Sequence, residues 1–486
     1  MPSRDPLLLH SATRLAALIR ARAVTSAEVV EAHIRRVERV NPTLNAVVAE
    51  RFDAARAEAR AADALLARVG PAAAPPFLGV PCSIKESFAV AGMPNSAGLV
   101  ARAGVCADED AVTVARLRAA GFIPLGVTNV SELCMWMETS NRIYGRTNNP
   151  YDPARTAGGS SGGEGAVVGA GGAPVGLGSD IGGSIRMPAF FNGVFGHKPT
   201  GGLVPTSGQY PLPGERGLRF LTAGPIARRA EDLMPVLRVL AGPDGRDPSC
   251  APLPLGDPAS VDLAGLTVLS VEHDGTWRVS PDLLAAQRRA VRALAARGAA
   301  VREARIDLLA RTLDIWTAMV GTAGGATFRA LLGNGRPVSL SRELARWSIR
   351  RSPHTLPALA LLLLEDVGQR LPARARRAVE LGKALRAELV ARLGERGVML
   401  YPSYPRPAPR HYAPLLPPFQ WTYTAVLNVM EMPATQVPLG LNGEGLPLGV
   451  QVAAIHGNDH VTIAVAQHLE RALGGWVPPS LSWCRR

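Results

Sequence analysis

Two serines set among glycines are the groups in this chain best suited to nucleophilic chemistry. Arg155 to Gly172 reads RTAGGSSGGEGAVVGAGG and carries Ser160 and Ser161, while Gly178 to Pro188 reads GSDIGGSIRMP and carries Ser184. Glycine at this density costs conformational entropy and makes sense where the backbone must turn or come close to a reacting group. Gly158 to Gly162 matches the G-x-S-x-G form of a nucleophile elbow, but such an elbow follows a strand. Tyr151 to Arg155 is turn chemistry, so that match is weak. Ser184 is better placed. Gly182 and Gly183 just before it can present backbone N–H groups with no side chain in the way, which is how an oxyanion hole is built.

A serine nucleophile needs a base. Of the 53 basic residues only Lys85, Lys198 and Lys383 are lysines. Lys85 lies in PCSIKESF at 81–88, with apolar flanks. Desolvation lowers a lysine pKa, and a neutral amine can then accept a proton. On the residues alone, a solvated surface lysine competes with that role.

The bulk composition excludes several other chemistries. The 486 residues are 47% hydrophobic with a net charge of +13, so the chain is neither disordered nor short of core. The arginines are scattered along helix-like stretches, as at Arg288, Arg289, Arg292 and Arg297. The denser patches, Arg350–Arg351 and Arg374–Arg377, lack interleaved aromatics and read as solvated helix faces, not a nucleic-acid surface. Cys82, Cys106, Cys134, Cys250 and Cys484 show no CxxC spacing. That argues for a reducing, cytoplasmic location without a disulfide framework or structural zinc. His456 and His460 have no HExxH around them and read as loop and helix-start residues. No GxxxxGK[ST] phosphate loop occurs. Met1 to Leu9 is too short for a signal peptide, and the longest glycine-free apolar run, Ala358 to Leu364, is too short to span a bilayer.

The elements that must position the serines and the lysine alternate in type. Thr25 and Glu28 form a capping-box pattern before a helix over 25–40 with Val29, Val30, His33, Ile34 and Val37 on one face. Ser280–Pro281 predicts the start of a helix near 282–297, with Ser280 as its N-cap. Leu266–Val271 and Leu448–Val452 read as strands, which makes the fold class α/β with a core sheet. The proline-rich stretches at 71–76 and 402–418 read as surface loops, and no linker divides the chain.

The same segments resemble the amidase signature family of serine hydrolases, and within it the type 2 group of fatty-acid amide hydrolases. The matching motifs are PFLGVP at 76–81, GMPNS at 92–96, ELCMW at 132–136 and NNPYD at 148–152. They continue with GGSSGGEG at 158–165, GSDIGGSIRMPAFFNG at 178–193, GHKP at 196–199, LYPS at 400–403 and LPLGVQV at 446–452. The likeness runs from about residue 6 to residue 480.

The resemblance implies a large mixed β-sheet covered by helices on both faces. It implies one domain over 1–486, with a signature core at about 75–230 and a helical, substrate-side insertion at about 305–395. By position, Lys85 corresponds to the catalytic lysine, Ser160 to the bridging serine after a cis peptide bond, and Ser184 to the acylated serine. The implied oxyanion donors are the N–H groups of Ile181, Gly182, Gly183 and Ser184. Asp180 and Arg186 resemble a supporting charge pair. Lys198 falls on a family position with no catalytic role, and Lys383 reads as a solvated helix residue.

No metal or organic cofactor is implied. The expected substrate is a small hydrophobic amide, fatty-acyl or aryl, with carbamates (urethanes) and esters accepted by the same acyl-transfer machinery. Met135, Trp136 and Met137 fall where related enzymes line an acyl pocket, while Ile315, Trp316 and Met319 have helical spacing. Core packing competes with pocket lining for all of these, and a pocket built from them would suit flexible apolar groups. Type 2 enzymes begin with a membrane-associated segment, whereas this chain starts at its first soluble helix, which puts anchoring in doubt. Residues 341–377 read as a buried helix, with a lipid-facing lid as the alternative. Peripheral membrane contact and a homodimer both stay open. The rival function within the family is the amidase subunit of a tRNA-dependent amidotransferase, against which GGEGA at 162–166 counts. A non-catalytic scaffold would be expected to lose part of the triad, and Lys85, Ser160 and Ser184 are all present.

Overall fold

Capping fixes where the first long helix begins. In the computed structural model, which describes residues 5–369 and 372–485, the Thr25 hydroxyl accepts from the Glu28 N–H, and the Glu28 carboxylate accepts from the Thr25 N–H. This capping box opens the helix Ser26–Leu44. The Asp63 carboxylate takes the next two N–H groups, of Ser26 and Ala27, and so pins this helix to its neighbour Phe52–Ala73.

Eleven strands form one mixed sheet. They are β1 (Val47–Glu50), β2 (Val80–Lys85), β3 (Phe122–Thr128), β4 (Val175–Asp180), β5 (Phe195–Lys198) and β6 (Thr222–Ala227). The second half of the chain adds β7 (Thr267–Ser270), β8 (Ala300–Glu303), β9 (Gly397–Tyr401), β10 (Ala434–Leu441) and β11 (Pro447–Ala453). Their spatial order is β1-β3-β2-β4-β6-β5-β10-β11-β9-β7-β8. The runs β3-β2-β4 and β9-β7-β8 are parallel. The strands between these runs pair antiparallel. Alternate side chains of β3 go to different buried clusters: Phe122 joins one and Ile123 the other, so both faces of the sheet are covered.

The expected strands are present as Thr267–Ser270 and Pro447–Ala453. The helix expected from Ser280–Pro281 spans Pro281–Ala295, but the Ser280 hydroxyl makes no capping bond. Proline's preset φ at the first helical position serves as the start signal there. Of the proline-rich stretches, 71–76 lies at the surface as expected, with its first residues helical, while 402–418 is partly buried. The helix Phe52–Ala73 runs on through a kink at Gly70, and Pro402 to Pro405 is buried, with the Pro402 carbonyl accepting from Gln451 Nε2 at 2.9 Å.

Between Glu303 and Gly397 the described chain is helical and strand-free, including Thr312–Gly321, Leu356–Gln369 and Pro372–Leu393. The Leu356–Gln369 helix is not wholly buried: Ala358, Leu359 and Leu362 face inward, while Leu363 and Leu364 are exposed. Among the described residues no helix is long and apolar enough to cross a membrane.

Leu400 is fully buried in β9, between β11 and β7. Leu400→Ala is expected to cost roughly 2–5 kcal/mol from lost burial and the cavity left behind. Urea unfolding of the variant, at an unchanged m-value, measures this.

Candidate active site

Lys85 and Asp180 end two neighbouring parallel strands, and the register sets Asp180 two residues beyond the position beside Lys85. The β2/β4 register pairs Ser83 with Gly176 and Ile84 with Leu177. Carboxyl ends of parallel strands are where open α/β sheets place ligand sites. Lys85 is fully buried, and its Nζ donates to Ser160 Oγ at 2.7 Å and to Ser179 Oγ at 3.0 Å. Burial pushes the amine down from the ordinary lysine value, against the raising effect of Cys134, Asp180 and Glu164.

Ser160 follows a cis peptide bond, Gly159–Ser160, just before the helix Gly162–Gly169. Gly159 is required by a close approach, since a Cβ there would stand 2.4 Å from the Trp136 carbonyl oxygen. Ser184 is 8% exposed, and its carbonyl accepts from the Ser161 N–H at 3.3 Å. The structure thus brings Lys85 and Ser160 into direct contact and lays the Ser184 backbone against Ser161. Among the described residues no hydrogen bond joins the Ser160 and Ser184 hydroxyls.

The loop that carries Ser184 is folded around Asp180. Asp180 Oδ1 accepts from Gly183 N–H at 2.7 Å, Asn428 Nδ2 at 2.9 Å and Arg186 Nη2 at 3.0 Å. Its Oδ2 accepts from Arg186 Nε at 3.0 Å and Ile185 N–H at 3.1 Å. Burial alone would raise the Asp180 pKa, but Arg186 outweighs it and holds the carboxyl at about 2. Gly183 has φ +117, and a Cβ there would overlap Thr424, so only glycine fits. Its N–H is committed to Asp180, which differs from the expectation that Gly183 donates to an oxyanion. The N–H groups of Ile181, Gly182 and Ser184 have no acceptor among the described residues.

The five expected pocket residues divide. Trp316 reaches the loop directly: its indole N–H donates to the Ile181 carbonyl at 2.8 Å. Trp421 meets Trp316 edge to face at 4.8 Å, and a Cβ on Gly182 would stand 3.6 Å from one ring and 3.7 Å from the other. Trp136 is half-buried, with its carbonyl against Gly159. Met137 is buried, with the Tyr404 hydroxyl 3.7 Å from its sulfur, and Met135 packs on a separate cluster with Leu99, Leu133 and Leu362. Met319 lies against Gly382, where the helices Thr312–Gly321 and Pro372–Leu393 meet. Its helical spacing therefore serves helix packing.

Sequence reasoning missed Ser179, Trp421, Thr424, Asn428 and the surroundings of Glu164. Trp421, Thr424 and Asn428 sit at i, i+3 and i+7 along the start and length of the helix Thr422–Val429, a spacing that was available to find them. Glu164 is fully buried, accepting from Ser83 Oγ at 2.5 Å and Thr128 Oγ1 at 2.7 Å. Burial pushes its carboxyl up to about 7, although Ser83, Thr128 and Lys85 all pull it down. Of the other lysines, Lys198 is buried and donates to the Pro199 carbonyl at 2.8 Å, while Lys383 pairs with Glu380 in solvent.

The amidase family profile matches residues 28–463. The chain is 46% identical to fatty-acid amide hydrolase 2 of Homo sapiens, over 98% of this chain and 92% of that protein. It is 31% identical to an acylamidase of Rhodococcus erythropolis, over 95% and 94%. The structure of a bacterial aryl acylamidase of the amidase signature family superposes with a TM-score of 0.79 at 26% identity, covering 96% of this chain and 97% of that one.

Because Glu164 titrates higher in the fold than in the unfolded chain, folding favours its protonated form. Its contribution is most favourable below about pH 4.5 and is lost as pH rises through about 7. Glu164→Gln keeps the shape without the charge. Unfolding free energies measured from pH 4.5 to 8 should show the wild type losing stability relative to the variant as pH rises, by up to about 3 kcal/mol.

Proposed function

This chain belongs to the amidase signature family and is an amide hydrolase, and from that premise we propose that it cleaves hydrophobic amides through Ser184, Ser160 and Lys85. Fatty-acyl and aryl amides are the proposed substrates, and carbamates and esters present the same carbonyl with a leaving group. The observation that carries the triad is the 2.7 Å contact between Ser160 Oγ and a fully buried lysine amine. The relatives named for fatty-acid amides and acylamides support the substrate class. Five cysteines without a disulfide suit the reducing, cytoplasmic setting proposed with it.

In the proposed cycle Lys85 begins neutral, which its burial favours. Ser160 gives its hydroxyl proton to Nζ and takes the Ser184 proton as Ser184 Oγ bonds to the substrate carbonyl carbon. The N–H groups of Ile181, Gly182 and Ser184 stabilise the oxyanion, while Gly183 holds the turn through Asp180. The proton returns from Lys85 through Ser160 to the substrate nitrogen, the C–N bond breaks and the amine leaves. Water, deprotonated by the same relay, then cleaves the Ser184 ester and releases the acid. Trp316 and Trp421, beside Gly182, offer apolar surface to the acyl or aryl group.

Ser184→Ala should abolish turnover and leave the fold intact by circular dichroism; near-normal rates in that variant would defeat the assignment. Mass spectrometry after fluorophosphonate treatment should find the adduct on Ser184, and an adduct on Ser160 would reverse the roles. Since the base must be neutral, kcat/KM should rise with pH through a Lys85 pKa below the ordinary lysine value. Lys85→Ala should remove that limb from the profile.

A further inference from the structure

Three successive carbonyls of the nucleophile loop are each held by a side chain from a distant part of the chain. Asn428 Nδ2 donates to the Asp180 carbonyl at 2.8 Å, and Trp316 Nε1 donates to the Ile181 carbonyl at 2.8 Å. Thr424 Oγ1 lies 2.9 Å from the Gly182 carbonyl, though it shares its one hydrogen with Trp421 O at the same distance. In a trans peptide the C=O and the N–H point in opposite directions. Fixing the Asp180 carbonyl therefore aims the Ile181 N–H, and fixing the Ile181 carbonyl aims the Gly182 N–H. Both of those N–H groups lack an acceptor among the described residues.

The Trp316 bond is the most specific of the three. An indole has one N–H and no acceptor, and here that hydrogen is spent on a carbonyl in the loop next to Ser184. The tryptophan belongs to the helix Thr312–Gly321, in the strand-free part of the chain, about 130 residues from the loop in sequence. A tryptophan that only lined an apolar pocket would not need its N–H placed on this peptide. We infer that Trp316 is a positioning residue for the hydrolysis: its indole N–H holds the Ile181–Gly182 peptide so that the Gly182 N–H faces the developing oxyanion. This rests on the acyl-transfer reading above and adds a role that pocket lining does not include.

The mechanism has a consequence for substrate recognition. The same ring lies where it would touch a Cβ at Gly182, and it meets Trp421 edge to face. An acyl or aryl group that orders these rings also orders the peptide that donates to its own carbonyl. Binding contacts distant from the scissile bond then appear in kcat, as expected when binding energy is realised in the transition state.

The test removes the N–H in two ways. Trp316→Phe keeps an aromatic ring, and the sulfur isostere benzothienylalanine, incorporated at position 316, keeps the bicyclic shape. With the para-nitroanilide of decanoic acid as substrate, both should lower kcat roughly ten-fold, part of the hundred- to thousand-fold that loss of an oxyanion donor costs. In the benzothienylalanine protein KM should stay within about two-fold, because the ring surface is retained. A trifluoromethyl ketone, which adds to the serine and carries the oxyanion, should lose affinity by the same factor as kcat/KM. Wild-type kcat in the benzothienylalanine protein, a raised KM with unchanged kcat, or unchanged ketone affinity would each overturn the inference. Fluorophosphonate labelling runs alongside. If the wild type fails to label at Ser184, the acyl-enzyme reading fails; if labelling is intact and the kinetics are unmoved, only the role of Trp316 fails.

Discussion

A carboxylate and a guanidinium withdrawn from water are tolerated only when their geometry is good and their remaining hydrogen-bond sites are filled. Asp180 and Arg186, both fully buried, meet that condition through a two-point contact with each other and through partners on either side. Asp180 gathers the N–H groups of Gly183 and Ile185, the residues that bracket Ser184. Arg186 passes the constraint outward, donating to Asn428 Oδ1 at 2.6 Å and to Gln451 Oε1 at 2.8 Å. Gln451 lies in β11, and its amide in turn holds the carbonyls of Pro402 and Tyr423. The position of Ser184 is thereby referred to the sheet, to the helix Thr422–Val429 and to the buried start of the 402–418 loop at once. A lysine in place of Arg186 could not make the two-point contact and the outward bonds together.

Lys85 and Glu164, on the adjacent strand end and helix, follow the opposite logic. Both are fully buried, and burial drives each toward its neutral form, the amine downward and the carboxyl up to about 7. Where the Asp180–Arg186 pair keeps its charges by direct contact, here the hydrogen bonds go to hydroxyls: Ser160 and Ser179 for the lysine, Ser83 and Thr128 for the acid. A hydroxyl can donate or accept, so these contacts survive a change in proton position. The base proposed for the reaction, which takes up and returns a proton in each turnover, needs such partners. A full ion pair between Lys85 and a carboxylate would hold the proton on the amine.

What could be read from the chain follows from how local each signal is. The glycine stretches, the serines within them and the capping box at Thr25 are sequence-local, and the scarcity of lysine that singles out Lys85 is a matter of composition. The contacts that orient the loop are not local: Trp316 meets Ile181 across 135 residues of sequence, and Asn428 meets Asp180 across 248. Met319 shows the converse. Its helical spacing is real, yet one helix face can serve a pocket or a neighbouring helix, and Gly382 decides for the helix. The commitment of the Gly183 N–H to Asp180 was invisible for a related reason, since a motif gives the order of donors but not the direction in which each peptide points.

The predominance of arginine acquires a physical meaning at the site. An arginine cannot be deprotonated in a protein, so it suits Arg186, whose charge must persist in a dry interior. It could not replace Lys85, whose proposed role requires a neutral amine within reach of Ser160. Lys198 shows that burial alone does not make a base: burial pushes its amine down to about 7, but its Nζ donates to the Pro199 carbonyl, which has no proton to give. Of the three lysines, one is in solvent, one is buried against a carbonyl and one is buried against a serine hydroxyl. Only the last arrangement can pass a proton to a nucleophile. The identity of the neighbour, more than the depressed pKa, is what distinguishes the proposed catalytic position.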